Sequence, residues 1–169
     1  MDNYYCLDHF PNLPSKYIGE GMTAQYKLNM NPNDYRAGTS FNNSKFVKLL
    51  KENIGDVSAL WIKNPPNSLY DWHIDKNVRQ CSINFPINIT GGRAFYRTKH
   101  NNTEEYKSLY YTLDEVRYIL HKPTILNVKN EHCVMNTSDE ERIILSICVR
   151  ESSYNETVNF LKTINISEY

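Results

Sequence analysis

The stretch "YDWHIDKNVRQCSINFPI", Tyr70 to Ile87, decides how the rest of the chain is read. A histidine and an aspartate stand two residues apart, and positions i and i+2 of a strand share a face. On a short strand His73 and Asp75 would converge, while Ile74 would turn away into packing. Next, Cys81, Ile83, Phe85 and Ile87 alternate with Ser82, Asn84 and Asn88, the pattern of a half-buried strand. Two readings are open. With 5 histidines and 19 acidic residues in 169, a His-x-Asp/Glu pair arises by chance roughly half the time. Alternatively the pair supplies two ligands to a metal ion, and a third must lie elsewhere.

A facial Fe(II) site needs two neutral imidazoles and one carboxylate, with the opposite positions open. His132, in the apolar alternation "EHCVMN", can be the second imidazole, contributed by a different strand. By strand parity its neighbour Cys133 points away from the ion and belongs to the core. Ten residues on, Arg142 opens "ERIILSICVR". Arg142, Ile144 and Ser146 share one face of that strand; Ile143, Leu145, Ile147 and Val149 share the other. Arg142 either ends the strand in solvent beside Glu140 and Glu141, or is a buried cation that clamps a dicarboxylate by paired hydrogen bonds.

The rest of the chain supplies a frame. "NSKFVKLLKENIG" reads as a helix capped by Ser44 and ended by Gly55. "VSALWIK", "RAFYR", "TILNV", "EHCVMN" and "ERIILSICVR" read as strands. "YTLDEVRYILHK" carries a capping-box pattern, Thr112 with Glu115, and is expected to be a short helix between strands, ended by Pro123. The first forty residues read as irregular wrapping with one or two short strands, and residues 155–165 as a closing helix. The expectation is one domain, mainly β with supporting helices, as an antiparallel sandwich or barrel.

Apolar residues make up 40% and charged residues 22%, an ordinary globular balance. A net charge of zero argues against a protein built to grip nucleic-acid backbone or an anionic membrane. No apolar run is long enough to span a bilayer, and "MDNYYCLDHF" lacks the pattern of a signal peptide, so an intracellular, cytoplasmic protein is expected. Cys6, Cys81, Cys133 and Cys148 form no CxxC pair and read as reduced thiols. Abundant Asn, Tyr, Lys and Ile point to an A/T-rich genome, a viral one among the candidates, and say nothing of chemistry.

His-x-Asp, a gap of roughly sixty residues, His, and Arg ten residues later is an order that resembles the 2-oxoglutarate/Fe(II)-dependent oxygenases. "GGRAFYR" and "KPTILNVKNEHCVMNTSDEERIILSI" are similar to the prolyl-hydroxylase-like branch. The ten-residue His-to-Arg interval also resembles the aspartyl/asparaginyl β-hydroxylase-like branch. The resemblance covers about residues 57–150 and leaves the helix and wrapping of 1–56 unmatched. It implies a double-stranded β-helix, a jelly roll of the cupin-like kind. It implies Fe(II) on His73, Asp75 and His132, with Arg142 on the distal carboxylate of 2-oxoglutarate. It implies O2 as oxidant, ascorbate as a candidate reductant, and hydroxylation of a small-molecule or peptidyl substrate.

Further candidates come from position. Ser82, Asn84 and Ser146 could bind the cosubstrate or orient a ligand, or else be a solvated face and core filling. Tyr70, Trp72, Arg79 and Arg97 could meet the substrate, against packing for the aromatics and plain surface for the arginines. Two rivals stand beside the oxygenase: a non-catalytic cupin-like binding module, and a cupin-type metal-dependent isomerase or hydrolase with no need of Arg142.

Overall fold

A computed structural model describes residues 2–29, 32–76, 78–88, 91–100, 110–167 and 169. The strands are β1 (Tyr4–Cys6), β2 (Lys27–Leu28), β3 (Tyr35–Ala37), β4 (Val57–Asn64), β5 (Ser68–His73) and β6 (Cys81–Pro86). They continue as β7 (Gly92–His100), β8 (Tyr110–Glu115), β9 (Thr124–Leu126), β10 (His132–Asn136) and β11 (Arg142–Val149). The helices are α1 (Ser15–Thr23), α2 (Lys45–Ile54) and α3 (Tyr154–Thr163). The strands form two antiparallel sheets. The major sheet runs β1-β9-β6-β11-β4-β3-β2 and the minor sheet β5-β10-β7-β8. Two facing antiparallel sheets with helices to one side are the expected jelly roll.

The alternation in β11 explains the layering. Ile143, Leu145, Ile147 and Val149 enter the main core with Trp61, Ile83 and Phe85 and with Phe46, Leu50 and Leu161 of the helices. Each such side chain contributes about 1.5–3 kcal/mol on burial. The opposite parity, Arg142, Ile144 and Ser146, faces a cavity. A smaller cluster, Ala94, Tyr96, Val116, Leu126 and Val128, packs near that cavity. The helices therefore stiffen the far face of the major sheet and leave its near face free for a site.

The helices form where their ends are chemically satisfied. The Ser44 hydroxyl accepts from the Val47 amide at 3.1 Å, and Gly55, at φ 83°, turns the chain out of α2. The Ser153–Glu156 capping box opens α3. The N-terminal region is more ordered than expected: it supplies α1 and three strands, two of which extend the β4 edge. Helix α1 follows Pro14 with no side-chain cap, which is why the sequence carries no start signal for it.

The helix expected over residues 111–122 is absent. Its first half is β8, paired with β7 from Phe95↔Glu115 to His100↔Tyr110. The Thr112 hydroxyl meets the His100 ring at 2.6 Å. The ladder to β7 satisfies the backbone that a lone helix would have to satisfy itself, so tertiary pairing overrides the cap. The chain then turns, with His121 at φ 63°. The four cysteines are free, and among the described residues no helix is long and apolar enough to cross a membrane.

Candidate metal centre

Antiparallel pairing of β5 and β10 sets His73 directly opposite His132, with ring centroids 4.3 Å apart. Asp75 arrives differently from expected. Strand β5 ends at His73, and Asp75 lies two residues beyond it, its amide donating to the Val128 carbonyl at 3.0 Å. Ile74 does not turn into packing; it is 45% exposed at the cavity wall. A backbone tether, rather than strand parity, brings the carboxylate round. One ligand atom from each of His73, Asp75 and His132 lies within 4.8 Å of the others.

The donors are set for a cation. The Nδ1 of His73 lies 2.6 Å from the Asp71 carbonyl and that of His132 lies 2.9 Å from the Asn130 carbonyl. A carbonyl can only accept, so both Nδ1 atoms carry a proton, and in the neutral tautomer this selects, each Nε2 is left to offer its lone pair to an ion. Burial, reinforced by His73, pushes the His132 pKa below the ordinary 6.5, which favours the neutral imidazole that a metal requires. Asp75 Oδ1 stands 3.6 Å from His73 Nε2. Two neutral imidazoles and one carboxylate are the donor set that suits non-haem Fe(II).

The three side chains border a cavity of about 570 Å³ that also reaches Arg142. Arg142 is 3% exposed. Its Nη1 donates to Asn64 Oδ1 at 2.8 Å, and its guanidinium lies 5.6 Å from the Tyr118 ring. Among the described residues no carboxylate pairs with it, and burial lowers its pKa. The solvated strand end is thus excluded, and a buried cation lacking an anion faces the cavity. A guanidinium so placed can pair with a carboxylate by two parallel hydrogen bonds. Gly92 makes the arrangement possible: a Cβ there would lie 2.5 Å from Arg142 Cδ.

The other candidates divide. Ser82, Asn84 and Ser146 are buried along the cavity rather than on a solvated face, and Asn84 Oδ1 has no hydrogen-bond partner. Tyr70 and Arg79 also line it. Trp72 and Arg97 do not: the guanidinium sits 4.6 Å over the indole and pairs with Glu131. Cys133 is buried away from the cavity. Sequence reading missed Tyr118, hidden by the expected helix. It also missed Asn64, Asp34 and Arg36, which reach the cavity only through the pairing of β3, β4 and β11.

No family model matches the chain, and no curated protein matches it in sequence. Solved structures match in shape. A Pseudomonas putida prolyl-4-hydroxylase superposes with a TM-score of 0.60 at 11% identity, over 89% of this chain and 93% of its own. An oxidoreductase of the 2OG-Fe(II) oxygenase family from Burkholderia pseudomallei gives 0.56 at 9% identity, over 90% and 87%. The chain therefore has the jelly-roll, double-stranded β-helix fold of 2-oxoglutarate/Fe(II) oxygenases.

Proposed function

We propose that this protein is an Fe(II)- and 2-oxoglutarate-dependent dioxygenase that hydroxylates a small-molecule or peptidyl substrate. The observation that carries the reading is one cavity bordered by a His-Asp-His cluster and by a buried, unneutralised arginine. Either feature alone is common; a metal ligand set and a carboxylate clamp on one cavity match a keto-diacid that chelates at one end and is gripped at the other.

In this reading Nε2 of His73, Nε2 of His132 and a carboxylate oxygen of Asp75 hold the metal. Fe(II) with 2-oxoglutarate and O2 supplies the oxidising power for C–H hydroxylation, the cosubstrate leaving as succinate and carbon dioxide. The chain's own work is positioning. Arg142 binds the distal carboxylate, Asn64 holds the guanidinium in place, and the Ser146 hydroxyl stands on the same strand face. Ile62, Leu126, Val128 and Ile144 add an apolar patch to a wall that is otherwise largely polar. Tyr70 and the β2–β3 end of the cavity are left for substrate.

The test is succinate formation from 2-oxoglutarate with added Fe(II), with and without a substrate panel, in wild type, His132→Ala and Arg142→Ala. Iron-dependent succinate lost in both variants supports the proposal. Activity untouched by Arg142→Ala would point to cupin-type Lewis-acid chemistry, and no iron-dependent turnover to a binding module.

A further inference from the structure

We propose that Arg79 is a positioning residue for the metal-ligating carboxylate: it occupies Oδ2 of Asp75, so that Oδ1 alone faces the two histidines. The inference rests on the metal centre described above. Asp75 is held at three points. Its amide donates to the Val128 carbonyl at 3.0 Å, and its own carbonyl accepts from Lys129 Nζ at 3.1 Å. Its side chain is held by Arg79, whose Nη1 donates to Oδ2 at 3.2 Å. Oδ1, on the other side, stands 3.6 Å from His73 Nε2, too far for a hydrogen bond and suited to a shared ion.

Arg79 is itself anchored. Its Nη2 lies 2.6 Å from the sulfur of buried Cys148, and the next amide, Gln80, donates to the Val149 carbonyl at 2.8 Å. Each Nη group thus has a protein partner, which fixes the guanidinium against Asp75. Two other arginines supply an internal contrast. Arg93 with Glu115 and Arg97 with Glu131 each engage both carboxylate oxygens through Nε and Nη2. Arg79 engages one oxygen and leaves the other, an arrangement that serves a carboxylate with a second task. On a bound metal, an aspartate held through one oxygen would take one coordination position, and the two imidazoles two more. A carboxylate that swung to bind through both oxygens would take a further position and leave fewer open to other ligands.

The experiment is Co(II) binding followed by visible absorption, without cosubstrate, in wild type, Arg79→Gln, Arg79→Lys and Arg97→Gln. Loss of a group that orients a ligand typically weakens metal binding about ten- to a hundred-fold. That weakening, with a changed absorption band, is expected for Arg79→Gln. Arg79→Lys should fall between it and wild type, because the ammonium keeps the charge but cannot span Asp75 and Cys148. Arg97→Gln should match wild type. Far-UV circular dichroism of the metal-free proteins reports folding; should Arg79→Gln not fold, Arg79→Lys decides. Wild-type affinity and spectrum in Arg79→Gln, or in Arg79→Lys where that variant decides, overturn the proposal. Co(II) binding that survives His132→Ala, or is absent from wild type, overturns the metal centre itself, an outcome distinct from failure at Arg79 alone.

Discussion

Replacing Arg142 with methionine should make the metal-free protein more stable while abolishing its response to 2-oxoglutarate. Arg142 is 3% exposed and has no anionic partner among the described residues. An ion held in the interior costs several kcal/mol after relaxation. Methionine fills similar space without that cost. Against the gain, Asn64 Oδ1 loses its donor at 2.8 Å, a penalty of about 1–3 kcal/mol for an orphaned buried acceptor. The balance is a stabilisation of about 1–3 kcal/mol, and for a chain of this length each kcal/mol moves Tm by about 2–4 °C. Wild type, loaded with Mn(II), should gain about 2.7 kcal/mol at a 2-oxoglutarate concentration a hundredfold above Kd; the variant should gain nothing. Thermal and urea unfolding with and without the cosubstrate measure both effects. A variant less stable than wild type by 3 kcal/mol or more, or one that still responds to 2-oxoglutarate, refutes the claim that this guanidinium is an uncompensated charge awaiting a carboxylate.

Three further outcomes follow from the same geometry. Gly92→Ala should raise the 2-oxoglutarate concentration needed for half-saturation and leave Co(II) binding unchanged, because its Cβ would push on Arg142 Cδ at 2.5 Å; titration of both ligands separates the two. Burial lowers the pKa of His132 from 6.5 in the folded state, so on acidification the unfolded chain takes up that proton first. The metal-free protein should therefore lose stability as pH falls below about 6.5, down to the folded-state midpoint, and lose no more from this group below it; urea unfolding between pH 7.5 and 5 reads the slope, which should flatten in His132→Asn. Leu145→Ala, at a position with 0% exposure in the helix-covered core, should cost about 2–5 kcal/mol without shifting metal affinity in the folded protein.

The sequence was most legible where one residue pattern had one physical meaning. The parity of β11 sorted Leu145 and Ile147 from Arg142 and Ser146 correctly, because a strand buried on both faces must still send alternate residues to opposite sides. Ser44 and Gly55 marked α2 because orphan backbone groups at helix ends need those residues. Legibility failed where long-range pairing decided. Thr112 and Glu115 had the spacing of a cap, yet β7 offered the same backbone a ladder. Ile74 and Asp75 were assigned by strand parity, but the strand stopped at His73 and a hydrogen bond to Val128 took over. Asn64 carried no signal of its own; it reaches Arg142 because the two are register partners, which is a property of the pair of strands.

The same contrast explains why the candidate centre lies where it does. His132 sits on the central partner of the minor sheet, paired with His73 on one side and Tyr96 on the other. Arg142 sits on β11, a strand of the major sheet clamped between β4 and β6 and backed by the main core. The two histidines and Arg142 thus belong to different sheets, and the cavity is the space between them. A change in sheet separation would alter the distance from ion to guanidinium before it altered either half. On the proposed function a chelated diacid of fixed length would tolerate little of that change, so a mutation that loosens the smaller cluster away from the cavity, such as Val116→Ala, should weaken cosubstrate binding more than metal binding. The opposite order, with metal affinity falling first, would mean that the site is assembled by the loop carrying Asp75 and not by the spacing of the sheets.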